Sequence, residues 1–180
     1  MAFAYLYEGT ANTSMKTSSS ITYLLSPATT FTFLNRGPLN RGLIPDNEVD
    51  DGKRFPSDLS KSGAIKKTAD GFTYLEPTQF HEYFAADLSA AQAAFMARSQ
   101  VLNAAVNFKA VITKAAWRSK PSWMVVAGAD RTINPDLERW YANRAHSHTI
   151  EVAGASHSVY FSHPKEVADV IESAARAVSK

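Results

Sequence analysis

The hydrophobic positions of this chain follow two regimes. From residue 117 onward they are ordered. "SWMVVAGAD" (122–130) is an unbroken apolar run behind Pro121, the pattern of a strand buried on both faces of a parallel sheet. It ends at Gly128-Ala129-Asp130. Asn134 before Pro135 then predicts a helix start, a capping side chain followed by a residue whose missing N–H costs nothing in a first turn. Within "PDLERWYANRA", Leu137, Trp140, Tyr141 and Arg144 share one face. "HTIEVAG" (148–154) predicts a second strand with Ile150 and Val152 on the same side. Pro164 opens another helix, in which Val167, Val170, Ile171, Ala174 and Val178 form an apolar stripe at helical spacing. Strand, helix, strand, helix is the order of parallel strands covered by helices.

The first two thirds read differently. Residues 10–62 are rich in Thr, Ser, Asn, Pro and Gly, with apolar clusters such as "ITYLL" and "FTFL" but no sustained period. "AIKKTADGFTYL" (64–75) predicts two short strands about an Asp70-Gly71 turn. "PTQFHEYF" and "SAAQAAFMARSQ" predict helices, the second with Ser89 and Gln92 at capping-box spacing. Helices and a hairpin, without strand–helix alternation, describe an insertion beside an α/β core. There is no internal repeat.

Composition narrows the function classes. At 180 residues, 45% apolar and 20% charged, the chain is sized for one medium globular domain or one domain with a large insertion. Net charge is +2 and the basic residues are scattered, which argues against a nucleic-acid partner. The absence of cysteine excludes a disulfide framework, a thiolate nucleophile and a cysteine metal site. No apolar run approaches the ~18 residues of a membrane span. "MAFAYLYEGT" lacks the basic start and apolar core of a signal peptide. The expectation is a cytoplasmic protein with no membrane partner. Asn12-Thr13-Ser14 fits a glycosylation sequon, a triplet that often arises by chance.

Two residues carry the candidate chemistry. His157, in "AGASHSVYFSHP" (153–164), follows one strand, and Asp130 ends the strand before it. In open parallel sheets the loops beyond the strands' C-terminal ends build the site. Neighbouring parallel strands would bring Asp130 and His157 to one edge, where the carboxylate fixes the imidazole tautomer and stabilises the imidazolium. The structural alternatives are a hydrogen-bonded turn histidine and a helix-cap aspartate, which "GADRTINP" also fits.

"KPSWMVVAGADRTINPDLERWYANRA" followed by "HTIEVAGASHSVYFSHPKEVADVIESAA" resembles the C-terminal segment of α/β-hydrolase fold proteins. It is most similar to the small, cofactor-free esterase and haloperoxidase-like branch. "DGFTYLEPTQFHEYFAADLSAAQAAFMARSQ" is similar to that family's cap, and "MAFAYLYEGT" resembles its sixth strand. The resemblance implies a partial α/β-hydrolase fold. Residues 1–10 would be a remnant core strand, 11–116 a mainly helical cap with a small hairpin, and 117–180 the C-terminal strand–helix units of the parallel sheet. It places the acid of a catalytic triad at Asp130 and the histidine at His157. It implies hydrolysis of a small ester-like substrate by a serine nucleophile, with no cofactor and no metal.

The nucleophile is the difficulty. In this fold it stands on a strained G-x-S-x-G turn. The eight glycines (9, 37, 42, 52, 63, 71, 128 and 154) include no two that are four apart and no two that are two apart. The strict elbow is therefore absent, as is a dinucleotide fingerprint. Ser156 and Ser158 flank the histidine but would rarely present a hydroxyl to the same ring, and Ser14 has no strand before it. Glu8 is a second candidate acid. His146 and His148 have metal-pair spacing without a third ligand. His81 fits either the cleft beneath the cap or a helix face. Trp117, Trp123 and Trp140 are expected to pack helices on the sheet, and Phe80, Tyr83, Phe84, Phe95 and Met96 to form a core that can also line a pocket. Two functions follow as expectations. One is an esterase-like hydrolase whose serine lies outside this chain; the other is a catalytically inactive remnant that binds through its cap. A three-strand parallel fragment would leave an apolar edge beside the first strand, favouring self-association or a complementing chain.

Overall fold

A computed structural model describes residues 2–7, 20–26, 29–34, 53–105, 116–118 and 120–178, the first three ranges by their backbone path alone. Among the described residues eight strands form two sheets. The main sheet has five strands: β1 (Ala2–Tyr7), β2 (Ser20–Ser26), β3 (Thr29–Leu34), β7 (Ser122–Ala127) and β8 (His148–Val152), in the order β2-β3-β1-β7-β8. A separate antiparallel sheet joins β4 (Ile65–Lys67), β5 (Phe72–Leu75) and the short β6 (Asn103–Ala104).

The strand–helix units at the C-terminal end match their sequence pattern. Every residue of β7 is buried, as a continuous apolar run requires. Its side chains alternate between two layers. Trp123, Val125 and Ala127 pack against Val167, Val170 and Ala174 of helix α6 (Pro164–Val178), which follows the short helix α5 (Val159–Ser162). Met124 and Val126 pack on the opposite face against Leu137 and Ala142 of helix α4 (Pro135–Arg144). Asn134 caps α4 by accepting from Asp136 N–H at 2.9 Å, with Pro135 in the first turn. On that helix Leu137, Trp140 and Tyr141 face the core, while Arg144 lies over the Trp140 ring at 5.2 Å. β8 runs parallel to β7, pairing Val125 with Ile150 and Ala127 with Val152.

The other side of β7 departs from expectation. The first strand was expected to lie like-directed beside it; β1 instead pairs with β7 antiparallel, with Phe3 opposite Met124. β3 then pairs antiparallel with the far edge of β1 and β2 with β3, so the edge expected to stay open beside the first strand is occupied. The "ITYLL" and "FTFL" clusters are these added strands, and they come from the 11–116 stretch read as cap. Backbone pairing explains the difference. An apolar strand satisfies its N–H and C=O groups equally well in either direction, and a strand edge next to a buried strand is costly to leave unpaired.

The remaining described elements form a second body of helices and hairpin. Helix α1 (Asp58–Ser62) is capped by Ser57 and ends at Gly63, whose φ of +69° is the left-handed conformation favouring glycine. The β4–β5 hairpin turns at Gly71 (φ +90°), as Asp70-Gly71 predicts. Helix α2 (Phe80–Phe84) and helix α3 (Ala90–Arg98) follow, and the Ser89–Gln92 capping box at the start of α3 is present. Leu59, Leu75, Phe80, Ala85, Ala93 and Ala97 make its core. Among the described residues no helix is long and apolar enough to cross a membrane.

Candidate functional site: a buried aspartate–histidine pair at the strand exits

The site forms where β7 and β8 leave the sheet side by side. Gly128 N–H donates to Val152 O at 3.0 Å and Ala129 N–H to Ala155 O at 2.9 Å, lacing the two exit loops together. A Cβ at 128 would stand 3.2 Å from both Ala153 Cα and Val152 O, a tight approach that favours glycine there. Parallel strands in register, with exits tied in this way, bring Asp130 and His157 together although 27 residues separate them.

His157 Nδ1 and Asp130 Oδ2 are 2.6 Å apart, and both side chains are fully buried. The second carboxylate oxygen, Oδ1, accepts from Thr132 N–H at 2.7 Å and Ile133 N–H at 3.0 Å. This is the turn reading of Asp130 and not a helix cap, since Asn134 caps α4, and it leaves Oδ2 to contact His157. Burial raises the Asp130 carboxyl, but the His157 charge and hydrogen bond and the Ile133 N–H outweigh it and hold the group below its ordinary value. Burial pushes the His157 imidazole below its ordinary value against the pull of Asp130. The resting pair is therefore a carboxylate and a neutral imidazole. An ionised carboxylate accepts only, so Nδ1 carries the proton and Nε2 the lone pair. Nε2 is buried with no hydrogen-bond partner among the described residues.

Three further side chains complete the surroundings. Phe84, at the end of α2, sets its ring edge-on to the imidazole at 4.5 Å, and its carbonyl accepts from Ser158 N–H (3.1 Å), Ser158 Oγ (2.8 Å) and Ser156 Oγ (3.3 Å). Asp87 accepts from Ser156 N–H at 3.0 Å and from the Ser156 hydroxyl, and lies 3.8 Å from His163 Nδ1. Glu138, on α4, is 0% exposed, and its Oε2 accepts from Ala127 N–H at 2.9 Å. Glu138 had a legible signal: it lies at i+4 from Asn134 and i−4 from the buried Ala142, on the inward face. Phe84 was expected in a core that can also line a pocket, whereas Asp87 had no signal, since its role depends on how residues 53–105 meet the sheet.

The other candidates separate from the pair. Ser156 and Ser158 spend their hydroxyls on Asp87 and the Phe84 carbonyl, so neither is engaged with Nε2. His81 Nε2 is 2.9 Å from Leu88 O, an internal tie of the cap. His148 stacks on Trp123 at 5.1 Å, and His146 adopts a left-handed φ of +50°. Among the described residues no three metal-ligating side chains cluster. Phe80 is core as expected, whereas Phe95 is 69% exposed. Glu8, Asn12 and Ser14 lie outside the described residues.

Residues 17–170 match the alpha/beta hydrolase family. The chain belongs to that family. The match takes in β7, α4, β8, the first part of α6 and the helices and hairpin of residues 53–105, which agrees with an α/β fold containing a parallel strand pair and a small antiparallel sheet. Membership in a hydrolase family makes hydrolysis the general expectation for a site of this kind. No curated protein matches the chain.

Proposed function

We propose that Asp130 and His157 are the acid and base of a serine-type, esterase-like hydrolase site, whose attacking hydroxyl comes from polypeptide outside these 180 residues. The observation that supports this most is the buried Nε2 of His157, a lone pair without a donor, on an imidazole whose other nitrogen is already bound to Asp130. Such a lone pair accepts the proton of a serine as its oxygen attacks an ester carbonyl carbon. The imidazolium then protonates the leaving alcohol, and water repeats the sequence on the acyl-enzyme. Asp130 keeps the ring oriented and stabilises its charge at each stage. A positioned acid–base group of this kind contributes about 10²–10⁴-fold to the rate. The reading asks for a small ester-like substrate and neither metal nor cofactor.

A second reading rests on the Phe84 ring that covers His157: a catalytically inactive member of the family that binds through its cap. The two are separated by expressing the chain together with the polypeptide encoded in frame upstream of Met1 and measuring p-nitrophenyl ester hydrolysis. A G-x-S-x-G segment in that polypeptide, with hydrolysis that falls about 10²-fold or more in His157→Ala, is the expected result. No such segment, and equal background rates with and without the imidazole, would overturn the hydrolase reading in favour of the binding module.

A further inference from the structure

Glu138 is an acid placed where an ionised acid is hard to keep. Its side chain is 0% exposed. Oε2 is satisfied by Ala127 N–H at 2.9 Å, but Oε1 is buried with no hydrogen-bond donor among the described residues. The cation nearest in sequence, Arg139, is committed on the exposed side of α4 to Asp136 and Glu151. Ala127, whose N–H Glu138 accepts, also takes the Asp130 N–H on its carbonyl at 3.1 Å, so the side-chain neighbour on this side is another acid, Asp130, with His157 beyond it, while the N-terminal charge pulls on Glu138 in the opposite sense. Two carboxylates sharing one dry site cannot both stay ionised cheaply. Asp130 already holds three N–H donors and keeps its charge. The proton therefore belongs on Glu138.

We propose that Glu138 is a positioning residue for the aspartate–histidine pair: protonated, it donates from its carboxyl to the Asp130 carboxylate and supplies that carboxylate's fourth donor. One proton resolves both difficulties, since it neutralises the second acid and gives the orphaned oxygen a partner. Burial and the neighbouring Asp130 charge also hold the Glu138 carboxyl well above its ordinary value. A fourth donor spreads the Asp130 charge and moderates its pull on the imidazole, so that Nε2 stays unprotonated at rest. This role deepens the reading of Asp130 and His157 as acid and base, but its physical signature is independent of turnover.

The test is nuclear magnetic resonance on the whole chain labelled with ¹³C at the glutamate carboxyls, Glu138 being the resonance missing from Glu138→Gln. The Glu138 carboxyl is expected to keep the shift of a protonated acid through pH 7. Glutamine preserves both a neutral donor and an acceptor, so Glu138→Gln should retain the low-field Nδ1–H signal of His157 and its titration midpoint. Glu138→Ala removes the donor and should broaden that signal and raise the midpoint by about half a unit to one unit, the scale of one lost charge-assisted hydrogen bond. A Glu138 carboxyl that titrates in the ordinary carboxylate range, or an alanine variant whose His157 behaves as in the wild type, overturns the proposal. If Glu138→Ala does not fold, the wild-type carboxyl titration and the Glu138→Gln comparison decide it. Failure of the hydrolase reading would appear in ester hydrolysis alone and leave these resonances unchanged.

Discussion

Residues 121–178 and residues 53–105 are both folded around apolar cores, but they hold them differently. The C-terminal segment encloses one strand between two helices, and large side chains on both faces of β7 (Trp123, Met124, Val125, Val126) lose nearly all contact with water. The cap core is built on Leu59, Leu75 and Phe80 with four alanines between them, and it leaves Phe95 and Val101 largely exposed. Alanine contributes little transfer free energy, so the cap relies on capped helix ends, the glycine turns of its hairpin and anchorage to the core. Those anchors are polar: Leu59 N–H to Arg131 O, Thr132 Oγ1 to Tyr83 O, and the Phe84 and Asp87 bonds to the histidine loop. The lesson is a division of labour. The sheet half gives the site rigidity, and the cap half gives it a cover attached by a few hydrogen bonds.

The sharpest way to break that comparison is a pair of truncations. Met124→Ala should cost about 2–5 kcal/mol of unfolding free energy, because the cavity opens between a buried strand and α4. Phe95→Ala should change stability by less than about 0.5 kcal/mol despite removing a larger side chain. Chemical denaturation of the two variants checks this, and equal losses would dissolve the distinction between the halves.

A smaller effect is expected at the join. Asp87→Ala leaves the Ser156 N–H without its acceptor and should cost about 1–3 kcal/mol. Burial raises the Asp87 carboxyl, but its bonds from Ser156 and Ser162 prevail and hold it below the ordinary value of 3.8. A carboxyl depressed in the folded state stabilises fully above the unfolded value and loses that contribution as pH falls through the folded one. The wild type should therefore lose stability below about pH 4 from this group, together with the same loss from Asp130. Thermal unfolding followed from pH 6 to pH 2 should show a shallower acid limb in Asp87→Ala. The least effect belongs to the cap's own helix: Ser89→Ala removes the α3 cap and should cost about 1 kcal/mol, read by hydrogen exchange confined to residues 89–98.

Much of this molecule is written locally. β7, α4, β8 and α6 are legible because an unbroken apolar run, an Asn-Pro start and a 3.6-residue stripe each admit one interpretation. Their order then brings Asp130 and His157 to one rim, since parallel strands put their exits at the same end. The direction of β1 is not legible, because the apolar pattern of a strand is the same read forwards or backwards. Nor do Pro27-Ala28 between "ITYLL" and "FTFL" carry the Asn-Gly or Asp-Gly signature of a tight hairpin. The inward position of Glu138 is legible from its helical spacing, but its residue type alone suggests a solvated charge. Asp87 and the carbonyl contacts of Phe84 are not legible, since their partners lie 69–74 residues away and no local pattern encodes such a contact.

That sequence separation has its own consequence. The carbonyl of Phe84 and the carboxylate of Asp87 grip Ser156 and Ser158 on either side of the histidine across loops of 69–74 residues. Closing a loop of that length costs chain entropy before any contact rewards it. The histidine's enclosure is therefore assembled late, after hairpin and helices have each collapsed on their own. On that order the imidazole of a newly made chain stays open to water until the two ends of the loop meet.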